Sequence, residues 1–467
     1  MRRQASTVLR PLCWTTGRRP SAYVLRVSVH RPPLPGGPWL VVGLARSGAA
    51  AARALWARGE PVIGVDADEP AEAAQLRDEG LEVWTGVDGL GELRRARAVV
   101  KSPGVPHEAP VIVAARELGL PLLGELELGW RLVERPFVAV TGTNGKTTTA
   151  ELLGEIWRAA RREVAVAGNV GTAVTSLTTG LPDDAVVVCE ASSFQLEDTL
   201  AFAPEVAVLL NLTPDHLDRH GTLEAYRDAK LRIFAHQDAG DVAVLPATLA
   251  PLHAGRGRRV TFGGVGSDLA LAEGSLTWDD EPLIAASELR LRGAHNVQNA
   301  MAAAAAALAY GVERGAVTQA LGTFAGVEHR LETVAQVGGV TWVNDSKATN
   351  VASTLVALAA LDAPAHVILG GQAQGQSLEG LREPLAEGVV AAYLVGEAAP
   401  ELRAALEGAV ALHDCGDLER AVSRIHAAAK PGEVVLLSPA CKSFDQYPGG
   451  FEERGAHFKT LVAVLGA

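Results

Sequence analysis

The sequence predicts an α/β protein of three domains built on largely parallel sheets. Three observations carry that expectation. Apolar strand-like runs alternate with amphipathic helical stretches from residue 39 onward. At 467 residues the chain is too long for one ordinary domain. Two strand, glycine turn, helix units are also present, one after "WLVVG" and one after "FVAV".

Residues 1–36 stand outside this plan. They carry seven arginines and no acidic residue, although the whole chain has a net charge of −12. An Arg-rich, acid-free leader resembles an organellar transit peptide. Its weak helical amphipathicity instead favours a disordered tail, or a start assigned too far upstream, and the segment is left out of the fold. The acidic balance excludes a general nucleic-acid footprint. No apolar run approaches the roughly 18–20 residues of a membrane span. The alanine-rich "NAMAAAAAALAYGV" reads as a packed amphipathic helix, so stable membrane association is not expected. Cys13, Cys189, Cys415 and Cys441 form no C-x-x-C pair and show no metal-ligand spacing. Cys189 ends an apolar run, where a buried free thiol is the default. A reducing, cytoplasmic setting fits.

The first unit is "WLVVGLARSGAAAARALWARGEPVIGVD". A strand runs into Gly43, a turn carries Gly48, a helix follows, and a second strand ends at Asp66. This is close to the dinucleotide fingerprint, except that Ala45 replaces the glycine against which a pyrophosphate would pack. A nucleotide-shaped ligand and a purely structural turn are both open here.

The second unit contains "VAVTGTNGKTTTAELL". A usual phosphate loop reads G-x-x-x-x-G-K-[ST]; here Val140 stands where its first glycine belongs. Leu152, Leu153, Ile156, Trp157 and Ala160 give the following helix an apolar face. Strands follow at "AVVVCE" and "VAVLLN". A third unit starts near "GGVTWVND" and continues through "AHVILGG", "AAYLVG" and "EVVLLSP". Boundaries fall near residues 125 and 327, giving segments 37–124, 125–326 and 327–467.

A strand-to-helix loop presents backbone N–H groups and a helix dipole to phosphate. Gly142 and Gly145 let it fold tightly, Lys146 neutralises β/γ-phosphate charge, and the Thr147 hydroxyl suits Mg²⁺. Glu190, and the pair Asp215 and His216, are expected at the carboxyl ends of neighbouring strands, where ligands of open α/β sheets gather. A carboxylate and an imidazole there can hold a divalent metal facing the phosphates. Singly, each reads as a helix cap or a satisfied core group. Lys230, by its residues alone, reads as a solvated helix lysine. There is no G-x-S-x-G elbow and no H-E-x-x-H motif. The residues alone therefore reach an enzyme that uses Mg·ATP, with an unidentified acceptor.

Taken together, "TGTNGKTTT", "GNVGT", "EASSFQLE", "NLTPDHLDRH", "YRDAKLRIF", "HNVQNAMAA", "HRLE", "NDSKATN" and "LLSPACKSFDQYPGGFEERG" resemble the Mur ligases of peptidoglycan synthesis, in family order, over about residues 38–466. "NDSKATN" and "SPACKSFDQ" resemble the members that add D-glutamate. The resemblance implies a Rossmann-like N-terminal domain for a UDP substrate, a central P-loop ATPase domain and a Rossmann-like C-terminal domain for the amino acid. It implies a ligase in which ATP converts the carboxylate of UDP-N-acetylmuramoyl-L-alanine to an acyl phosphate that the D-glutamate amine attacks; a monomer is expected.

The same resemblance implies residue roles. The catalytic set is Lys146, Glu190, His216 and Lys230. Lys230 falls at the family's carbamylated lysine, which reverses the bland reading above. Metal ligands are Thr147, Glu190, His216 and Lys230. ATP is held by Gly142, Thr143, Asn144, Gly145, Lys146, Thr147 and Thr148, with Asn296, Asn299, Arg330 and Asp345. The UDP substrate meets Arg46, Ser47, Asp66, Ser102 and Gly104, with Asn169 and Ser192 on its muramoyl side. D-Glutamate meets Lys347, Thr349, Ser443, Phe444 and Phe451.

Two departures stand out. Gln374 replaces a lysine expected to pair with the side-chain carboxylate of D-glutamate, which removes a charge-assisted bond and leaves another amino acid open as acceptor. Ala67 and Asp68 follow Asp66 where some members carry a hydroxyl and an arginine, and Arg46 is the candidate substitute cation. Two other classes compete: a nicotinamide-dependent oxidoreductase, disfavoured by Ala45, and a non-catalytic nucleotide-binding module, disfavoured by the joint presence of Lys146, Glu190, His216 and Lys230.

Overall fold

A computed structural model describes residues 31–252, 255–291, 293–361, 363–373 and 375–466. Among the described residues there are three sheets, of five, nine and six strands. In the first, Glu82–Thr85, Val62–Asp66, Trp39–Val42, Ala98–Lys101 and Leu122–Gly124 lie side by side, all parallel. Its strand order reverses between Trp39–Val42 and Ala98–Lys101, the switch point at which open parallel sheets bind ligands.

The central sheet holds Phe137–Thr141 between Val206–Leu209 and Val186–Glu190, with Val164–Gly168 beyond. On its other side Val242–Pro246 and Arg258–Phe262 continue the parallel run, and an antiparallel meander through Glu281–Ala285 closes the edge. The inner strands are valine-rich and buried along their length, as a sheet covered on both faces requires. The helix Ala294–Tyr310 departs from the amphipathic expectation. Ala300 to Ala307 are all buried, so it is surrounded and not laid on one face. Alanine makes this possible, because its small side chain lets Lys146–Ala159 and the strand Val242–Pro246 approach closely.

The third sheet orders Val340–Asn344, Val434–Leu437, Ala365–Gly370, Val389–Val395 and Ala411–Gly416 in parallel, with Glu332–Val337 antiparallel at its edge. The helix Glu125–Leu132 joins the first two units: Leu128 packs in the first core, and Leu126 and Trp130 in the central one.

The leader reading applies to residues 1–36, of which 1–30 lie outside the described residues. Residues 31–36 differ from it, because they pack on the body. The Arg31 guanidinium donates to the carbonyls of Trp130, Val133 and Arg135, and lies 5.1 Å from the Trp130 ring centroid. A cation over an aromatic face beside helix C-terminal carbonyls is a favourable setting on both counts.

Candidate active site

The strand Phe137–Thr141 runs buried into the loop 142–145, and the helix Lys146–Ala159 begins directly after it. Gly145 sits at the helix N-cap with φ +86°, and a Cβ there would stand 2.1 Å from Asn299 Oδ1. Both facts demand glycine. The contact also shows that Asn299, from the alanine-rich helix, presses on the loop. Lys146 Nζ donates to the carbonyls of Gly142 (3.0 Å) and Thr143 (2.8 Å), so its ammonium curls over the loop mouth.

Thr147 and Glu190 meet beside the loop: the Thr147 hydroxyl donates to Glu190 Oε2 at 2.8 Å, and Asn169 Nδ2 donates to Oε1 at 3.1 Å. Glu190 is buried at the end of its strand, as expected. Asp215 and His216 do not sit at a strand end. They lie on the loop after Val206–Leu209, with His216 in the left-handed region (φ +51°) and its imidazole Nε2 3.4 Å from Asp215 Oδ2.

The solvated reading of Lys230 is overturned. The side chain is buried, 2 % exposed, and Nζ donates to the Gly142 carbonyl at 2.8 Å, 4.6 Å from the Tyr226 ring centroid. Burial, aided by the nearby Lys146 ammonium and opposed by Asp215 and Glu190, lowers its pKa to about 6. The helix turn carrying it faces inward with Tyr226 and Ala229.

Beside the loop lies a cavity of about 390 Å³ lined by Asn144, Gly145, Thr148, Asn296, Asn299 and Arg330, with the apolar Phe262 and Leu291 opposite. Asp345 is placed elsewhere. Its carboxylate is buried, accepts from Ser438 Oγ at 2.7 Å and from Leu331 N at 3.2 Å, and is pushed up to about 7 by that burial. It reaches only a small recess shared with Arg330 and Lys347.

A second cavity, about 610 Å³, opens at the switch point of the first sheet. Arg46, Ser47, Asp66, Ser102, Gly104 and Asn169 all line it. Asp66 also serves its own loop, accepting from Leu44 N (2.6 Å) and Asp68 N (2.9 Å). Asp68 lines the same cavity, opposite in sign to Arg46. Ser192 is not on its wall; it caps the helix Ser193–Glu197 in a reciprocal box with Gln195, and Gln195 reaches the cavity.

A third cavity, about 410 Å³, joins the central and third units. Thr147, Glu151 and Glu190 form one side, and His329, Lys347 and Phe451 the other. Ser443 is buried, Thr349 half-buried and Phe444 exposed, and none of these three lines it. Gln374 lies outside the described residues.

Sequence reasoning missed several residues that hold these parts. Asn211 Oδ1 accepts from the backbone N–H of Thr143 (3.0 Å) and Asn144 (2.9 Å), and its Nδ2 donates to Asn144 O at 3.0 Å. A polar residue directly after the run "VLL" was the available signal. Tyr226 hydroxyl lies 3.0 Å from Thr143 Oγ1. Arg454 is buried and donates to Ser346 O (2.8 Å), Ser346 Oγ (3.0 Å), Gly370 O (3.3 Å) and Cys441 O (3.2 Å), fastening three loops together. Asn211→Ala takes the side-chain acceptor from two loop N–H groups, of which Thr143 N keeps the Asn211 backbone carbonyl at 3.2 Å, so the loss is about 1–3 kcal/mol. The expected result is a raised KM for ATP together with a lowered thermal midpoint; an unchanged KM counts against Asn211 as the loop clamp.

The comparisons follow this division. Residues 38–124 match the model described as Mur ligase MurD-like, N-terminal domain; residues 140–307 match the Mur ligase middle domain; and residues 329–441 match the Mur ligase, glutamate ligase domain. The chain is 44% identical over 450 residues to the UDP-N-acetylmuramoylalanine–D-glutamate ligase of Acidobacterium capsulatum, covering 92% of this chain and 96% of that one. It is 42% identical over 441 residues to the protein of the same name from Geotalea uraniireducens, covering 91% and 97%. Among solved structures, the fold is similar to UDP-N-acetylmuramate-alanine ligase MurC from Thermotoga maritima (TM-score 0.59, 20% identity, 92% of this chain and 99% of that one). It is also similar to MurF ligase from Thermotoga maritima in complex with ADP (TM-score 0.57, 19% identity, 87% and 96%). Through its close relatives and its three matched domains, this chain belongs to the Mur ligase family.

Proposed function

We propose that this chain is an ATP-dependent amide ligase that joins D-glutamate to UDP-N-acetylmuramoyl-L-alanine in peptidoglycan precursor synthesis. The observation that carries this reading is identity of about 40–44% to proteins of that named activity, spanning more than nine-tenths of the chain. Three cavities support it. The one at the first sheet takes the UDP end, the one beside the phosphate loop takes ATP, and the one between the central and third units takes the acceptor. Among the described residues no helix is long and apolar enough to cross a membrane, and Cys189, Cys415 and Cys441 are free. We place the enzyme in the cytoplasm.

The donor set fits Mg²⁺: the Thr147 hydroxyl and the buried Glu190 carboxylate are hard oxygen donors in contact with each other. Mg²⁺ bound there supplies charge neutralisation for the transferring phosphoryl group. Lys146 and the N–H groups of the loop hold the β/γ-phosphates, oriented by Asn211. The substrate carboxylate, a poor acyl donor, attacks the γ-phosphorus; the bond from that phosphorus to the bridging oxygen breaks, ADP leaves, and an acyl phosphate forms. The amine attacks its carbonyl carbon, and phosphate leaves as the amide bond forms. Lys347, beside Glu190 and Phe451 in the shared cavity, places a cation for a carboxylate of the acceptor. Lys230, a buried amine of low basicity next to the loop, is suited to carbamylation by CO₂, which makes it an anionic metal ligand.

The test is phosphate release by purified protein with Mg·ATP, UDP-N-acetylmuramoyl-L-alanine and a panel of amino acids. D-Glutamate is expected to support turnover. Activity with L-lysine or a diamino acid but not with D-glutamate would sink the assignment, and Gln374 makes the full panel worth running.

A further inference from the structure

The seam between the first and central units is polar and closed. Lys101, fully buried at the end of its strand, pairs with Asp198 at 2.7 Å, and His107 Nε2 lies 3.1 Å from the other Asp198 oxygen. A buried pair of this kind contributes little net stability, and its best-attested use is to fix one arrangement among several. Here it fixes Ser102 to Gly104, the next residues along, which form a wall of the nucleotide cavity.

Arg219 ties the same wall to the metal side. Its Nη1 donates to the Pro103 carbonyl at 2.9 Å, and its guanidinium carbon sits 3.9 Å from the Phe194 ring centroid. Phe194 in turn packs against the imidazole of His216 at 4.9 Å and stacks on His220 at 5.4 Å. His220 is braced by Glu197 at 2.9 Å and by Ser193 Oγ at 3.0 Å. The half-exposed His216 imidazole is therefore positioned by a ring, the ring by a guanidinium, and the guanidinium by a cavity wall. The His216 ring is tilted at 53° to Phe194 while His220 stacks on it at 22°, so a shift of the Phe194 ring under the Arg219 guanidinium changes the packing of both imidazoles.

We propose that Arg219 and Phe194 are positioning residues that couple occupancy of the nucleotide cavity to the setting of the His216 imidazole. This rests on the proposed function, in which that cavity takes the UDP end of the substrate, and on the family resemblance, which implies His216 as a ligand of a divalent cation. The coupling is reciprocal: substrate tightens the cation, and the cation tightens substrate by the same factor. Its use is ordering, since the cation is held firmly only when the carboxylate to be phosphorylated is present.

The experiment measures Mn²⁺ binding to the full-length protein with a non-hydrolysable ATP analogue, with and without UDP-N-acetylmuramoyl-L-alanine. In the wild type the substrate is expected to tighten Mn²⁺ about tenfold, within the usual range for coupled sites. Phe194→Leu and Arg219→Lys are expected to cut that factor below about twofold, while substrate affinity measured without Mn²⁺ stays within about twofold. Phe194→Tyr, which keeps the ring, restores the coupling. Should Phe194→Leu fail to fold, the partly exposed Arg219→Lys decides alone. Variants that keep the wild-type factor overturn the proposal, and so does a wild type that turns over with D-glutamate yet shows no coupling. A wild type that neither binds the UDP substrate nor turns over overturns the functional reading as well.

Discussion

Lys146→Ala is expected to lower turnover by roughly 10²–10³-fold or more, the usual consequence of removing one preorganised charge from a transition state. Phosphoryl transfer depends on positioning and electrostatics more than on protein nucleophiles, so a single ammonium weighs heavily. The geometry makes Lys146 hard to replace. Its Nζ is held by the Gly142 and Thr143 carbonyls at the loop mouth, and the neighbouring amine, Lys230, donates to the same Gly142 carbonyl from a buried position. The loss should fall mainly on kcat, because in the proposed function the base is held by the separate cavity beside the loop, lined by Asn296, Asn299 and Phe262. Steady-state phosphate release checks this, and a near-wild-type rate would show that the phosphate clamp lies elsewhere.

Lys230→Ala is expected to abolish most activity, with part of it restored by short-chain carboxylic acids that fill the vacated space with an anion. Only a neutral amine attacks CO₂; the product is a carbamate and a released proton. A pKa of about 6 leaves Lys230 largely neutral at pH 7, whereas an ordinary lysine would be almost fully protonated. The sign follows. As pH falls through about 6 the amine protonates, the carbamate is lost, and wild-type activity should drop and recover on raising the pH with bicarbonate present. The alanine variant rescued by a carboxylic acid should lack that inflection. Full activity in unrescued Lys230→Ala removes the carbamate from the mechanism.

These two lysines also mark how far the sequence could be read. Lys146 was legible because a phosphate loop is local: strand, glycines, lysine and helix are contiguous, and hydrogen-bond geometry dictates their order. Lys230 was not. A lysine in "YRDAKLRIF" has the same local pattern whether its helix turn faces water or the loop, and only the packing against Gly142 and Tyr226 decides. Tertiary contact likewise explains Asn211, an ordinary loop residue until the loop it orients is placed 67 residues away. The alternation of strands and helices was readable throughout because burial on both faces imposes long valine runs. The surrounded helix Ala294–Tyr310 was misread as amphipathic, since alanine carries too little hydrophobic contrast to show which faces are covered. At the first cavity, the near-fingerprint ending in Asp66 located the wall. It could not show that Asp66 is already engaged by Leu44 and Asp68.

The guanidinium of Arg454 joins loops from three separate stretches of the third unit, at Ser346, Gly370 and Cys441. Those loops therefore cannot drift apart independently over evolutionary time. A lineage that changes its amino-acid preference must do so by exchanging outward side chains on a frame that stays put, because a shift in any one backbone strands a buried cation shared with the other two. Lys347 and Phe451, which line the cavity shared with the central unit, are positions where such exchange would act. On the proposed function, the acceptor end behaves as one rigid piece whose selectivity is set by the side chains it carries.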